Sequence, residues 1–377
     1  MPYIQFAGLA NQKARSAQVR FPKVFSFFDD PEGALKALGE LALSIRDHPL
    51  VSIDQRDCET IDLGAQSVAS ALVQDARRTQ RKNIRGNWPR SPEVKQVVDA
   101  AGIVRAVLPN KALPKGFYVF YLTRGMSQGG PQTDSKSRVT TGLVRHFDKC
   151  LSRYSVRLTD SGIKRLADLV SEALGNAEDH TPKQDWWVAA YLHEVEGKAY
   201  GDFHITIFNF GESIGDTMKN LSADNPGREW LQRIMSAQRG KWFGGVDEEV
   251  TRTVFALQEH VSSLRGAAQP DRGQGSVEML TFFYELGTPK GGDVPRRMCI
   301  ISGTTYILFD GTYRLQKSSE GKTIAFNKEN DLLRPPDGGY VRKLKRRFPG
   351  TLITMQFPLH RDYLLTLTGE HRTDGTS

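Results

Sequence analysis

The chain of 377 residues has few cysteines and no long apolar run. Its three cysteines, Cys58, Cys150 and Cys299, are far apart and odd in number. That spacing fits neither a disulfide framework nor a CxxC metal knuckle. No run approaches the roughly 18 to 20 apolar residues that span a bilayer, and the N-terminal segment lacks an apolar core behind its charges. We therefore expect a cytoplasmic protein with no membrane partner.

Proline and glycine are also too scarce for a disordered or fibrous chain, at 18 and 35 residues. Hydrophobic residues make up 39% of the chain and charged residues 25%, as in folded globular proteins. The length exceeds what one hydrophobic core usually organises. We therefore predict two folded domains.

Acidic residues are fewer than basic ones, which leaves a formal net charge of +8. The excess gathers in two segments, Arg77, Arg78, Arg81, Lys82, Arg85 and Arg90, and Arg342, Lys343, Lys345, Arg346 and Arg347. Such charge leaves nucleic acid open as a partner. Neither segment interleaves aromatic residues as a single-strand binder would, which favours a solvated surface instead.

Strand and helix patterns alternate along the first hundred residues, which predicts a small α/β domain over residues 1–112. The predicted strands are 24–28, 51–56 and 84–88, and the predicted helices are 34–45, 63–80 and 92–103. Residues 113–142 are expected to form a connecting strand at 117–122 and a linker or exposed loop at 126–138, which is rich in glycine and polar residues.

A second domain is predicted over residues 143–365, followed by a polar tail at 366–377. Its helices are expected at 143–154 and 161–175, a hairpin at 185–195 and 202–210, and polar helices at 225–238 and 246–264. Strands are expected at 297–302, 305–309 and 351–357.

The segment SEALGNAEDH (171–180) repeats a polar residue every fourth position, at Glu172, Asn176 and His180. An α-helix advances about 100° per residue, so residues four apart lie about 40° apart on one face. Glu172 and Asn176 can therefore reach one ligand. An ordinary polar surface helix is the alternative.

Glycines mark two later segments. Gly211 lies in FNFGESIG (208–215) at the end of a predicted strand, and DRGQG (271–275) precedes an apolar helix at 276–283. Glycine lets the backbone approach a ligand closely, and the amides at a helix N-terminus bind phosphate.

These segments together resemble the GHKL superfamily of ATPases, which includes gyrase, MutL, histidine kinases and anti-sigma kinases. Glu-x-x-x-Asn-Ala-x-x-His resembles the N-box, FNFGES the G1 box, RGQG the G2 box, and FPGTLITMQFPL (348–359) the closing strand. The resemblance covers about residues 143–362. It implies an α/β (α+β) fold, a two-layer sandwich of the Bergerat type with a mixed sheet, and a lid at about 216–270.

The resemblance also implies ATP and Mg²⁺ as ligands. Glu172 would be the general base, and Asn176 would supply an oxygen to Mg²⁺. Asn209 stands where the family has an adenine-binding Asp. The implied cofactor-binding residues are Asn176, Asn209, Gly211, Ser213, Arg272, Gly273, Gln274, Gly275, Ser276 and Thr351.

The N-terminal domain resembles STAS domains, the fold of anti-sigma-factor antagonists, through IDLGAQ (61–66) and EVKQVVDAAGI (93–103). It departs from them at Leu63, which stands where a phospho-acceptor serine is expected. Three functions follow: a nucleotide-gated ATPase acting as a regulatory or defence switch, an anti-sigma-type Ser/Thr kinase acting on a STAS-like partner, or a non-catalytic nucleotide-binding module. A protein partner is expected through the STAS-like domain or the lid, and a homodimer stays open.

Three weaker signals are set aside. SSEGKT (318–323) resembles a P-loop end but lacks the first glycine. His146 in RHFDKCL lies too close to the N-box for a phospho-accepting histidine. Cys58 has no activating neighbour in the sequence.

Overall fold

A computed structural model of the chain shows a mixed α/β structure. The described residues are 16–108, 110–126, 135–179, 185–194, 196–198, 200–219, 221–239, 247–261, 275–285, 296–318 and 321–360. No helix within these ranges has the length and apolar character needed to cross a membrane.

The N-terminal unit contains a three-stranded parallel sheet in the order β1-β3-β5. Its elements are β1 (Ser16–Arg20), β2 (Val24–Phe25), α1 (Pro31–Asp47), β3 (Leu50–Asp54), β4 (Thr60–Ile61), α2 (Leu63–Gln80), β5 (Asn83–Asn87), α3 (Pro92–Ala101) and α4 (Ile103–Val107). The predicted alternation is confirmed, and α2 has the predicted bounds. The predicted strand at 24–28 is shorter, because only its first two residues pair, with β4.

Local sequence explains where α2 starts and stops. The Asp62 carboxylate accepts a hydrogen bond from the amide of Ala65 at 2.8 Å and so caps the N-terminus. The helix ends at Arg81, which adopts the left-handed conformation with φ 51°. That position usually holds Gly or Asn. Leu63, at the site where a STAS antagonist carries serine, is 1% exposed.

The C-terminal part is built on a five-stranded sheet in the order β6-β7-β8-β12-β9. Its elements are β6 (Phe117–Met126), α5 (Ser135–Ser152), α6 (Asp160–Asp179), β7 (Asp185–Glu194), β8 (Tyr200–Phe210), α7 (Ile214–Thr217), α8 (Gly227–Arg239), α9 (Glu248–Phe255), α10 (Gly275–Glu285), β9 (Arg297–Phe309), β10 (Gln316–Ser318), β11 (Gly321–Thr323) and β12 (Val341–His360).

Every neighbouring pair in this sheet is antiparallel, so the expectation of a mixed sheet is wrong for these strands. The reason lies in the connections. Two successive helices, α5 and α6, run away from the C-terminal end of β6 and back to it. The next strand, β7, starts at that end and therefore runs opposite to β6. The parallel strands belong to the N-terminal unit instead.

Several segments differ from the expected boundaries. The helix expected at 246–264 is the shorter α9, and the strand expected at 351–357 is the longer β12. The helix α5 begins at Ser135, inside the predicted linker, whose central residues 127–134 lie outside the described ranges. The strands expected at 297–302 and 305–309 form one strand, β9, in which Gly303 has a φ of 60°.

Alternating side chains give the five-stranded sheet two different faces. The first, which we call the covered face, places Trp187, Phe208, Ile301 and Leu352 in one hydrophobic cluster with residues of α1 and α2. The N-terminal unit and the sheet therefore share a core. The second, which we call the cleft face, carries Val188, Ile207, Ile300 and Ile353 and packs with α5, α6 and α10.

Candidate functional site

The helix α6 presents Glu172 and Asn176 together, as the sequence predicts. The Asn176 amide nitrogen donates to a carboxylate oxygen of Glu172 at 3.4 Å. Leu166, Val170 and Leu174 on the same helix are buried in the core of the cleft face. Because these apolar residues recur at helical spacing, they fix the rotation of α6 and leave Glu172 exposed and Asn176 half-buried.

Both residues line a cleft between α6, α10, the α7 and α9 region, and the cleft face of the sheet. The cleft encloses about 1020 Å³ of space, counting its open mouth. Its lining includes Glu172, Asn176, Asn209, Gly275, Ser276 and Thr351, all of which the sequence nominates.

The first residue of α10 lies directly against Glu172. A Cβ placed on Gly275 would lie 2.2 Å from Cγ of Glu172 and 2.6 Å from its Oε1. Only glycine therefore allows this approach. The contact places the N-terminal amides of α10, which have no partner inside the helix, beside the carboxylate and amide of α6.

Asn209 is held from both sides by backbone groups. Its Nδ2 donates to the carbonyl of Ala177 at 2.8 Å, and its Oδ1 accepts from the amide of Thr351 at 2.9 Å. A carbonyl can only accept and an amide can only donate, so these partners fix the orientation of the side chain. An aspartate could not donate to Ala177, which gives a structural reason for asparagine at this position.

Thr351 continues this polar connection toward α7. Its Oγ1 lies 2.7 Å from Oγ of Ser302, which accepts from the amide of Ile214 at 2.7 Å. Ile214 in turn lines the cleft. The end of β8, the middle of β12, β9 and the start of α7 are thus joined by one row of hydrogen bonds.

Ser213 and Gly211 are not among the residues that line the cleft, although the resemblance implies that they bind the nucleotide. Gly211 donates its amide to the carbonyl of Pro349 at 3.1 Å. The Oγ of Ser213 caps α7 and donates to Glu249 at 2.8 Å. Both residues serve the junction between β8, β12 and α7.

Glu249 belongs to a polar cluster that the sequence did not reveal, and we call it the Arg347 cluster: Ser213, Asp216, Glu249, Thr304 and Arg347. Glu249 is 9% exposed. Nη1 of Arg347 donates to both its oxygens, at 2.9 and 3.1 Å, and Oγ1 of Thr304 donates at 2.6 Å. Arg347 also pairs with Asp216. The cluster therefore ties α7 and α9 to β12.

The predicted residues Arg272, Gly273 and Gln274 lie outside the described ranges, as do His180 and parts of the expected lid at 240–246 and 262–270. The described part of the lid includes α9, whose Val254 and Phe255 are buried in the core of the cleft face. Beyond α9, Ala256, Leu257 and Val261 form one wall of the cleft.

The apolar walls of the cleft were not nominated from the sequence. They include Ile207, Ile214, Met218, Met279 and Ile300. Strand periodicity could have identified Ile207, because residues two apart on β8 share the face of Asn209. Met218 and Met279 follow from no local pattern.

The structure places the two remaining candidates in packed surroundings. Burial lowers the pKa of His146 to about 4, and its ring lies 5.9 Å from that of Phe120 and 6.2 Å from that of Phe203. Burial raises the pKa of the Cys58 thiol to about 12, which opposes thiolate formation. Neither environment suits a nucleophile or a phosphate acceptor.

Comparisons of the chain with protein-family models, with curated proteins and with solved structures found no match.

Proposed function

We propose that this chain binds ATP with Mg²⁺ in the cleft and hydrolyses it as a nucleotide-gated regulatory or defence switch, through a site similar to that of GHKL ATPases. One observation carries the proposal: Gly275, at the start of α10, lies against Glu172 in the same cleft as Asn176, Asn209 and Thr351. Four segments far apart in the sequence, each named by the resemblance, line one cleft, and this supports the proposal.

The cleft suits a nucleotide in both of its parts. Ile207, Ile214, Met218 and Ile300 offer apolar walls to a planar base, with the fixed amide of Asn209 beside them. The amides at the start of α10 offer donors to phosphate oxygens, and the helix dipole favours negative charge there. These two parts match the two ends of a nucleoside triphosphate.

The oxygen donors on α6 fit magnesium. Mg²⁺ prefers oxygen ligands and keeps several waters, so one protein amide oxygen plus phosphate oxygens is a sufficient set. Nδ2 of Asn176 is directed to Glu172, which leaves its Oδ1 to act as that ligand. When bound, the ion would neutralise charge on the phosphates.

Glu172 would act as the general base. Its carboxylate is exposed at the mouth of the cleft and borders the N-terminus of α10. There it would accept a proton from a water molecule that is oriented toward the terminal phosphate. A base held in this way typically contributes about 10² to 10⁴ in rate.

The Arg347 cluster supports the switch. It joins α7, next to the cleft, to β12, and two residues before Arg347 the amide of Lys345 donates to the Glu32 carboxylate on α1 at 2.5 Å. A displacement of α7 on nucleotide binding would therefore reach the N-terminal unit through Arg347. The likeness to STAS domains would make that unit the surface for a protein partner.

The test is calorimetry and turnover with ATP, GTP and ADP, each with and without Mg²⁺. Asn176→Ala should lose Mg²⁺-dependent affinity, and Glu172→Gln should retain affinity while turnover falls about 10²-fold or more. Asp168→Asn, which removes another acid from α6, is the matched control and should behave like the parent.

Each of the other outcomes would indicate a different function. Transfer of labelled phosphate to protein, without release of free phosphate, would replace hydrolysis by the kinase reaction. Binding without turnover in the parent would leave a nucleotide-binding module. Equal and negligible affinity of the parent and Asn176→Ala for every nucleotide would refute the proposal.

A further inference from the structure

We infer that the N-terminal unit carries a second binding surface, for the phosphate backbone of nucleic acid, along the end of α2 and the strand β5. We call this surface the basic edge, and it consists of Arg77, Arg78, Arg81, Lys82 and Arg85. The inference does not depend on the proposed ATPase activity.

The charge of the basic edge is not balanced locally. Between Asp75 and Glu93 the sequence has six Lys and Arg residues and no acidic residue. Arg78, Arg81 and Arg85 are exposed, and among the described residues none of them forms an ion pair. Arg77 donates to the carbonyls of Ala106 and Val107 at 2.8 and 3.0 Å, which leaves its charge uncompensated by a carboxylate there.

Asp75 and Asp47, two acids near the basic edge, already have arginine partners. Asp75 is 5% exposed and lies 3.8 Å from a guanidinium nitrogen of Arg124. Asp47 accepts two hydrogen bonds from Arg46, at 2.7 and 2.9 Å. The positive potential of the basic edge is therefore available to a partner.

These cations do not serve the nucleotide cleft either. No Lys or Arg is found among the described residues that line the cleft. Two residues of the second basic segment form ion pairs inside the protein. Lys343 is paired with Asp247 at 2.6 Å and Arg347 with Glu249 at 2.9 Å. Among the described residues, the first segment has an ion pair between Arg90 and Asp57 at 3.1 Å, and Arg90 is not part of the basic edge.

Among the described residues, the sheet beside the basic edge has one face that is polar and partly exposed, and we call it the polar face. Val51, Ile53 and Ile84 point inward and are buried in the cluster that contains α1 and α2. The opposite face carries the row Gln18, Ser52 and Arg85 across the three strands. Parallel sheets are normally covered on both faces, so this polar, partly exposed face is suited to contact with a further molecule.

The chemistry of the surface favours a phosphate backbone over other anions. Among the described residues, the exposed large hydrophobic ones are Leu108, Leu113, Tyr121 and Ile163. Leu108 follows the carbonyls that Arg77 contacts, and none of the four is on the strands of the polar face. Membrane anchoring and most protein interfaces need such apolar anchors. Arginine dominates instead, and its planar donors match phosphate oxygens.

The backbone conformation of Arg81 is a further argument for a functional basic edge. It adopts φ 51° at a helix end where Gly or Asn is usual, so an arginine is present there at a conformational cost. Its side chain lies at the centre of the basic edge in sequence.

The experiment measures binding of the full chain to a fluorescent duplex of about 20 base pairs by anisotropy, without nucleotide, at salt concentrations from about 50 to 200 mM. The variant is Arg78→Gln, Arg81→Gly and Arg85→Gln combined; glycine suits the left-handed position, and thermal unfolding checks the fold. The control combines Arg145→Gln, Arg157→Gln and Arg233→Gln, which removes the same charge from exposed positions elsewhere.

We expect the parent to bind, the variant to lose at least about tenfold in affinity at low salt, and its log–log salt slope to decrease by about 2 to 3. The control should keep most of the parent's affinity and slope. Loss of the same size in the control, absence of salt-dependent binding by the parent, or equal competition by polyglutamate or phosphatidylserine vesicles would each overturn the inference.

Discussion

The two faces of the five-stranded sheet come from the same strands, yet they pack differently. On the covered face, Trp187, Phe208 and Leu352 meet α1 and α2 in a core that continues into the N-terminal unit. On the cleft face, α6 and α10 approach each other at Glu172 and Gly275 but leave space above Ile207 and Ile353.

The difference in packing between the two faces indicates that the open space is a binding cleft and not a packing defect. Polar residues from α6, β8 and β12 are collected around it, at Glu172, Asn176, Asn209 and Thr351. A void left by poor packing would have apolar walls throughout, because buried polar groups need partners. Both faces bury a hydrophobic core, and chemistry is expected where the cleft face leaves open space.

Adjacent residues of β12 give the sharpest test of this division. Leu352 on the covered face is 0% exposed, so Leu352→Ala should lower the free energy of unfolding by about 2 to 5 kcal/mol. Ile353 borders open space on the cleft face, so Ile353→Ala should cost about 1 kcal/mol. Urea denaturation measures both. Equal costs would mean that the two faces are packed alike.

The Arg347 cluster joins α7 and α9, beside the cleft, to β12. Arg347→Met removes the cationic partner of the buried Glu249 carboxylate and should destabilise the fold by about 2 to 3 kcal/mol. This is less than for a fully buried pair because the Arg347 side chain is 44% exposed. Combining it with Glu249→Gln, which removes the buried charge, should restore most of the loss.

Amide hydrogen exchange then tests whether this cluster transmits the effect of nucleotide binding to the N-terminal unit. In the parent, a non-hydrolysable ATP analogue with Mg²⁺ should change exchange in α1. In the stable double variant it should not. An unchanged response in that variant would show that the cluster has a structural role alone.

The smallest effect on stability is expected inside the cleft. Gly275→Ala places a methyl group 2.2 Å from Cγ of Glu172 and should reduce turnover about 10²-fold by displacing it. The free energy of unfolding should change by less than about 1 kcal/mol. Gly162→Ala, in the first turn of α6, has its nearest contact at 3.3 Å and is the control. Normal turnover in Gly275→Ala would contradict the assigned role of Glu172.

Local physics made much of this fold predictable from sequence. The Asp62 cap and an apolar pattern define α2, and helical geometry places Glu172 and Asn176 on one face without reference to the rest of the chain. The convergence of Asn209, Gly275 and Thr351 was predicted from a family resemblance. The spacing of these residues in the sequence does not by itself imply that they meet.

Non-local pairing set the limit of prediction. Arg347 and Glu249 are separated by 98 positions, and the arginine lies in a run that looks like surface charge. The direction of Ser213 depends on its role as the cap of α7, which a motif does not specify. The antiparallel pairing depends on how many helices separate successive strands and on the position of β12 between β8 and β9.

The position of β12 has a consequence for synthesis of the protein. This strand is the last of the sheet in sequence, yet it lies between β8 and β9 and supplies Thr351 to the cleft and Leu344, Phe348 and Leu352 to the shared core. Until the ribosome has released residues 341–360, β8 and β9 lack the strand that lies between them, and both faces of the sheet are incomplete. A nascent chain that stops earlier would expose unpaired strand edges, which are targets for chaperones and proteases.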